Sequence, residues 1–279
     1  MMKLKVYITI IISIILYTYS YSQISRPGLS KYPELIFVEG GKYIIGNDDD
    51  KEGYELHINS FSIGKYEVTL EQFSYFIEQS GYKVDYSNTN DNEYDPSDDV
   101  WLTSPTYYTW KNGDDFKIKP KYEYNEPVVN ISWIDAIAYC NWLSEKTGEK
   151  YRLPTEAEWE FAASGGKKNH NYKYAGSNDL KKVAWTSSDG KLVGVGYKLP
   201  NQLGLYDMSG NAYEWVDDKF SDDYLIESEK NNYSLDSKVI KGGSWSTGLK
   251  TCEIKFRYPK RSFVRLEYLG FRVLREHKY

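Results

Sequence analysis

Apolar and polar positions change period several times along the chain, and the changes mark its elements. Leu35 to Gly46 alternates and reads as a strand, a Gly40-Gly41 turn and a second strand. Asn47 to Glu52 is an acidic loop, and Phe61 to Val68 is again strand-like. Thr69-Leu70-Glu71-Gln72 then has the form of a capping box, in which a hydroxyl and a side-chain amide satisfy free amide donors at a helix start. Leu70, Phe73 and Ile77 follow at helical spacing. A second helix is expected from Ser132-Trp133-Ile134-Asp135, with Trp133, Ala136, Ile137, Cys140 and Leu143 as its apolar stripe and Gly148 as its stop. A third begins at the capping box Thr155-Glu156-Ala157-Glu158 and runs to Ala163.

Two stretches do not fit this alternation. Tyr82 to Asn125 is polar, acid-rich between Asp91 and Asp99, and interleaved with Trp101, Tyr107, Tyr108 and Trp110. It reads as an irregular segment packed by its own aromatics, or as one wall of a binding groove. After Gly166 the chain is rich in turns, with short strand-like pieces only. There is no repeated βαβ pattern and no internal repeat, so the expected class is a single irregular α+β domain.

The N-terminus belongs to a different regime. Lys3 and Lys5 precede an apolar run from Val6 to Leu16, and Ser20-Tyr21-Ser22 places small residues at both outer positions of a cleavage site. Residues 1–22 read as a signal peptide, with Gln23 first in the mature chain and 23–279 as the domain. The run is short of the roughly 20 residues a membrane span needs. Export is therefore expected, to a periplasm or beyond.

Composition narrows the partners. A net charge of -5 argues against nucleic acid. With 28 Tyr and 8 Trp the chain can fill a sizeable core. Cys140 and Cys252 could pair in an oxidising compartment, although sequence does not show that they meet. His57, His170 and His277 are scattered, with no ligand spacing among them. Glu156, Glu158 and Glu160 suit a helix N-terminus better than acid–base chemistry, and Trp159 and Trp215 suit core anchors.

The motifs, taken in order, are Phe37 to Gly41, Lys65 to Thr69, Pro127 to Trp133, Arg152 to Gly166, Asn201 to Trp215, Gly242-Gly243-Ser244-Trp245 and Gly270-Phe271-Arg272. Together they resemble the sulfatase-modifying-factor (formylglycine-generating-enzyme-like) family from Leu35 to Arg275. The resemblance implies an irregular α+β domain related to C-type lectin domains. Formylglycine-generating members oxidise a sulfatase cysteine with dioxygen and copper held by two cysteines. Other members are iron-dependent sulfoxide synthases with a His-rich helical module, which this chain lacks. Still others are secreted proteins without established chemistry.

By that resemblance the two copper positions fall on Thr247 and Cys252. A threonine hydroxyl cannot replace a thiolate for soft copper(I), so the pair is broken and copper is not expected. Cys252 remains as a lone thiol that Lys250 and Lys255 could activate, or as an inert leftover. Ser244 matches the family serine of the groove. Asp207, Gly210, Ala212 and Glu214 match a family calcium site. Calcium takes carboxylate and carbonyl oxygens, and an extended 210–214 segment would face Gly210, Ala212 and Glu214 to one side. The expectation is a structural calcium and an exported binding or assembly module for a protein, peptide or glycan. The alternative is a divergent oxidoreductase acting on exported proteins through Cys252.

Overall fold

The computed structural model describes residues 27–46, 53–86, 94–95, 100–101, 109–112, 118–221 and 236–277. The signal-peptide segment and Tyr107 and Tyr108 lie outside them. The architecture is mixed α+β and irregular, as the turn-rich sequence implied. Strands β1 (Leu35–Val38), β4 (Phe61–Gly64), β12 (Leu274–Glu276) and β7 (Tyr151–Arg152) form an antiparallel sheet in that spatial order. A second sheet has the order β10 (Tyr258–Arg261), β9 (Ser237–Lys241), β8 (Tyr213–Lys219), β11 (Leu269–Phe271), with β11 parallel to β8. Strands β2 (Gly41–Ile45) and β3 (Tyr54–Ile58) pair separately, as do β5 (Tyr94–Asp95) and β6 (Val100–Trp101).

The strands on either side of Gly40 therefore do not pair with each other. β1 joins β4 while β2 joins β3. Gly40 permits the divergence, because a Cβ there would lie 2.3 Å from the Ile58 carbonyl oxygen.

Helices α1 (Leu70–Ser80), α2 (Trp133–Thr147) and α3 (Glu156–Ala163) all start at reciprocal capping boxes, through Thr69/Gln72, Ser132/Asp135 and Thr155/Glu158. Each cap stabilises its helix by about 1 kcal/mol. α1 and α2 stop at Gly81 and Gly148, both left-handed. A one-turn helix, α4, spans Leu180–Val183.

Two apolar clusters fill the interior. One gathers Phe73, Phe76, Tyr139, Trp142, Trp215 and Phe271 beneath α1 and α2. Trp110 belongs to it, 6 % exposed with its ring 5.2 Å from that of Phe73, so this aromatic is core and not groove wall. The other cluster packs Trp159 and Phe161 of α3 against Val38, Phe61, Ile63 and Val216. β8 feeds both, Trp215 entering the first and Val216 the second, which is the two-residue alternation of a strand.

Glu214 lies between them, on the Val216 side, and is fully buried. Arg272, also fully buried, grips it with two charge-assisted bonds: Nε to Oε2 at 2.6 Å and Nη2 to Oε1 at 2.6 Å. The same guanidinium donates to the carbonyls of Gly64 and Tyr206, each at 3.0 Å, and Trp159 Nε1 donates to Glu214 Oε2 at 2.7 Å. One ion pair so ties β8 to α3, β4 and the 206 turn.

The acids of α3 divide by role. Glu158 completes its cap and takes a bidentate fork from Arg152. Glu160 accepts from the buried Lys241 at 2.6 Å, and Glu156 from Arg257 at 2.8 and 2.9 Å. All three are held in ion pairs, and the capping read from the sequence explains only Glu158.

Removing one partner of a buried pair leaves an uncompensated charge. Arg272→Met should lower stability by about 3–5 kcal/mol, read from urea midpoints. Adding Glu214→Leu to that variant should recover part of the loss. A wild-type midpoint for Arg272→Met would dismiss the pair as the structural tie.

Candidate functional site

Strand β9 is followed by Gly242 and Gly243, both at positive φ (93° and 72°). Gly243 is required by crowding: a Cβ there would lie 2.6 Å from Cys252 Sγ and 2.9 Å from that residue's backbone nitrogen. The Gly-Gly turn thus lays backbone directly over Cys252, which is 0 % exposed. Tyr174, Leu180, Val183 and Ala184 complete its apolar surroundings.

Burial pushes the Cys252 thiol up to about 11, against the opposing pull of the Thr251 hydroxyl and the Gly210 and Ser244 amides. It is a neutral thiol at physiological pH. Lys250 and Lys255, which could have activated it, are both exposed residues, and burial governs the thiol instead. Cys140 is free and buried in the first core cluster, and Cys252 is free in another. The two are not bridged.

Hydroxyls surround the position beside this thiol. Thr247 Oγ1 accepts from the Ser244 amide at 2.9 Å and from Thr251 Oγ1 at 2.8 Å. Ser244 is fully buried, and its Oγ bonds Ser246 Oγ at 3.0 Å. Burial pushes the Tyr213 phenol up to about 12, with the hydroxyls of Thr251 and Thr247 opposing the shift. Ser244 and Cys252 are thus brought into one buried turn, with Thr247 at the hub of its hydroxyl network. Tyr213 was missed in the sequence; its signal was an aromatic beginning the strand that follows the Asp207–Ala212 turn.

The four expected calcium residues sit deeper. Residues 210–212 are not extended. Asp207, Gly210 and Asn211 all have positive φ (56°, 78° and 62°), and β8 begins only at Tyr213. The alternation expected to align Gly210, Ala212 and Glu214 is replaced by a left-handed turn. Both Glu214 oxygens are engaged by Arg272, and Oε2 by Trp159 as well. Asp207 accepts from the Gly196 amide at 2.7 Å through Oδ2, while its buried Oδ1 has no hydrogen-bond partner.

Glu67 is a further buried acid here. Its Oε1 accepts from the Ala212 amide at 3.3 Å, and Oε2 is without a hydrogen-bond partner. The sequence signal for it was an acid inside the Lys65-Tyr66-Glu67-Val68-Thr69 motif, just before a helix cap. Burial holds Glu67 well above the usual carboxylate range, with Asp207 and Glu214 adding to the shift and Arg272 opposing it. Burial likewise raises Asp207 to about 6. Among the described residues, no group of three or more His, Cys, Asp or Glu is arranged to hold a metal ion. The orphaned oxygens of Asp207 and Glu67 fit a cation. Glu214, saturated by a guanidinium and an indole, does not.

The chain belongs to the family of sulfatase-modifying factor enzyme 1-like domains, whose model matches residues 21–277. It is similar to the formylglycine-generating enzyme of Thermomonospora curvata, at 30% identity over 82% of this chain and 87% of that one. It is also similar to the serine/threonine-protein kinase pkn1 of Chlamydia caviae, at 31% identity over 77% of this chain. There the chain spans about a third of the relative's length (34%). Among solved structures, PvdO from Pseudomonas aeruginosa superposes with a TM-score of 0.67 and 26% identity, covering 89% of this chain and 96% of that one. Among the described residues no helix is long and apolar enough to cross a membrane.

The raised carboxyl of Asp207 sets a pH dependence. Its folded pKa of about 6 lies above the unfolded value of about 4, so the native state binds the proton more tightly in that window. Stability should fall as pH rises from about 4 to about 6, and the loss persists above. Melting temperatures of wild type and Asp207→Asn between pH 4 and pH 7.5 check this. The variant should lose part of the decline seen in wild type, and identical slopes would refute it.

Proposed function

We propose that the chain is an exported, non-catalytic member of its family, which acts as a binding or assembly module on a fold akin to that of C-type lectins. One observation supports this reading above others: Cys252 is sealed beneath Gly243 as a neutral thiol, with Thr247 in the neighbouring hydroxyl network. Copper(I) would need a second soft ligand beside Cys252. By the family resemblance that place is held by Thr247, whose oxygen already takes part in the bonds of the turn. The alternative, a divergent oxidoreductase acting through Cys252, would require the thiol to ionise and to meet a substrate.

Two measurements test the reading together. Purified protein with copper, dioxygen and a Cys-x-Pro-x-Arg sulfatase peptide should yield no aldehyde. Native Cys252 should resist iodoacetamide and react only in denaturant. Aldehyde formation abolished by Cys252→Ala would overturn the reading and favour the oxidoreductase.

A structural calcium ion is the second element of the proposal. Asp207 Oδ1 and Glu67 Oε2, buried and without hydrogen-bond partners, motivate it, with backbone carbonyls of Gly210 and Ala212 as further donors and Glu214 bracing the site through Arg272. Calcium would relieve the cost of ionising Asp207 and Glu67. It should therefore raise the melting temperature more at pH 7.5 than at pH 5, through ligand linkage. Chelator without effect on wild type, or an equal calcium effect in the Asp207→Ala, Glu67→Gln double variant, would remove the ion from the structure.

A further inference from the structure

Immediately after Cys252 the chain turns outward and forms one side of a separate cleft. Strand β2, the loop from Ser164 to Lys173 and the segment Glu253 to Lys255 enclose a volume of about 450 Å³. That lies within the roughly 300–1,000 Å³ typical of small-ligand sites. We propose that this cleft binds a saccharide through the ring face and hydroxyls of a pyranose, with no charge required on the sugar. The proposal gives the binding-module reading a ligand class and is independent of any chemistry at Cys252.

Two tyrosine rings carry the first part of the argument. Tyr43 of β2 and Tyr172 of the loop both line the cleft. Each is braced by groups outside the lining. The Tyr43 hydroxyl donates to Oε2 of the buried Glu160 at 3.0 Å, and its ring meets Phe161 edge-on at 5.9 Å and 68°. Tyr172, 36 % exposed, stacks on His170 at 5.6 Å and 17°. One face of a pyranose consists of C–H bonds, and water is displaced favourably when that face rests on an aromatic ring. Rings held in advance lose little freedom when a ligand arrives.

Short amides carry the second part. Asn169 and Asn171 line the same cleft, and their side chains both donate and accept, as vicinal sugar hydroxyls require. Asn171 sits at φ 55°, a left-handed turn that asparagine tolerates. The loop around it is fixed: the Asn171 amide donates to Asn169 Oδ1 at 2.6 Å, the Lys173 amide to Asn178 Oδ1 at 2.8 Å, and the Ile254 amide to the Lys173 carbonyl at 3.1 Å.

Ionic recognition is not part of the argument. Lys42 pairs with Glu55 at 2.7 Å and Lys173 with Glu253 at 2.9 Å. An ionic contact from either lysine to a ligand would first have to break a pair within the protein. A peptide fits less well than a sugar, because peptide grooves are read through apolar anchor pockets. Here Ile254 is buried in the floor, and Ile44 is the one exposed aliphatic side chain in the lining.

Calorimetric titration of the purified protein tests this with neutral gluco-, manno- and N-acetylglucosamine oligosaccharides, an oligogalacturonate and a pool of random hexapeptides. At least one neutral sugar should bind with a Kd of about 1 mM or tighter. Raising salt from about 0.05 M to about 0.5 M should change that affinity by less than about twofold, since screening acts on charges. Tyr172→Ala and Asn171→Gly should each weaken binding by about tenfold, whereas Tyr172→Phe, which keeps the ring, should bind as wild type does. Tyr172 and Asn171 are exposed, and unchanged melting temperatures would confirm that the variants fold. The proposal is overturned if no neutral sugar binds, if only the oligogalacturonate binds, if salt abolishes binding, or if Tyr172→Ala and Asn171→Gly bind as wild type does. Peptide binding that depends on Tyr172 also overturns it. Aldehyde formation at Cys252 would sink the non-catalytic reading and leave this one standing.

Discussion

The Arg272–Glu214 pair is the constraint around which the rest is arranged. A fully buried guanidinium is tolerable only where nearly all of its donors are met, and Arg272 meets them with one carboxylate and two carbonyls. The partners come from places far apart in sequence. Gly64 closes β4, Tyr206 precedes the left-handed turn at Asp207, and Glu214 is also held by Trp159 of α3. An architecture of short strands and long turns has few ladder hydrogen bonds to hold its layers in register. The ion pair supplies register where regular structure does not. It is also why Glu214 reads differently in three dimensions than in sequence: its lone pairs serve the fold before they can serve a metal.

This explains which parts of the molecule were legible in the sequence. The helices α1, α2 and α3 were legible because their caps are local. Thr69/Gln72 and Thr155/Glu158 satisfy donors three residues away, and no distant contact is needed to recognise them. The clustering of the motifs was legible only as a resemblance. Trp159, Glu214 and Arg272 look like unrelated residues of separate motifs until the fold places them around one charge. What local pattern could not reveal was conformation set by crowding. The 210–214 segment resembled an extended strand, yet Gly210 must pass close to Trp185, where a Cβ would lie 2.3 Å from its carbonyl oxygen. The chain therefore enters the left-handed region there, and the expected alternation is lost. Glu67 was hidden for a similar reason, since a single acid beside a helix cap ordinarily reads as exposed. Trp110 shows the converse, an aromatic in a polar segment that proved to be core.

The same crowding governs Cys252. Gly243 has no side chain, so backbone can lie against the sulfur, and the sulfur is thereby sealed. Approach of the Gly210 and Ser244 amides would by itself favour a thiolate, but burial outweighs them. The turn thus presents amides to a sulfur that burial keeps neutral. Thr247 belongs to the same logic. Its hydroxyl accepts from Ser244 and Thr251, so the turn is held by hydrogen bonds among side chains and backbone.

From this turn onward, inside and outside diverge within three residues. Cys252 faces the interior, Ile254 floors the polar cleft, and Lys255 stands at its edge. The Ile254 amide is bonded to the Lys173 carbonyl, so the loop that carries Tyr172 and Asn171 is anchored to the chain that buries the thiol. The segment between them is fixed at both ends, by the Ser209 hydroxyl on the Cys252 carbonyl and by the Lys173 carbonyl on the Ile254 amide. Such a segment transmits force poorly and holds geometry well.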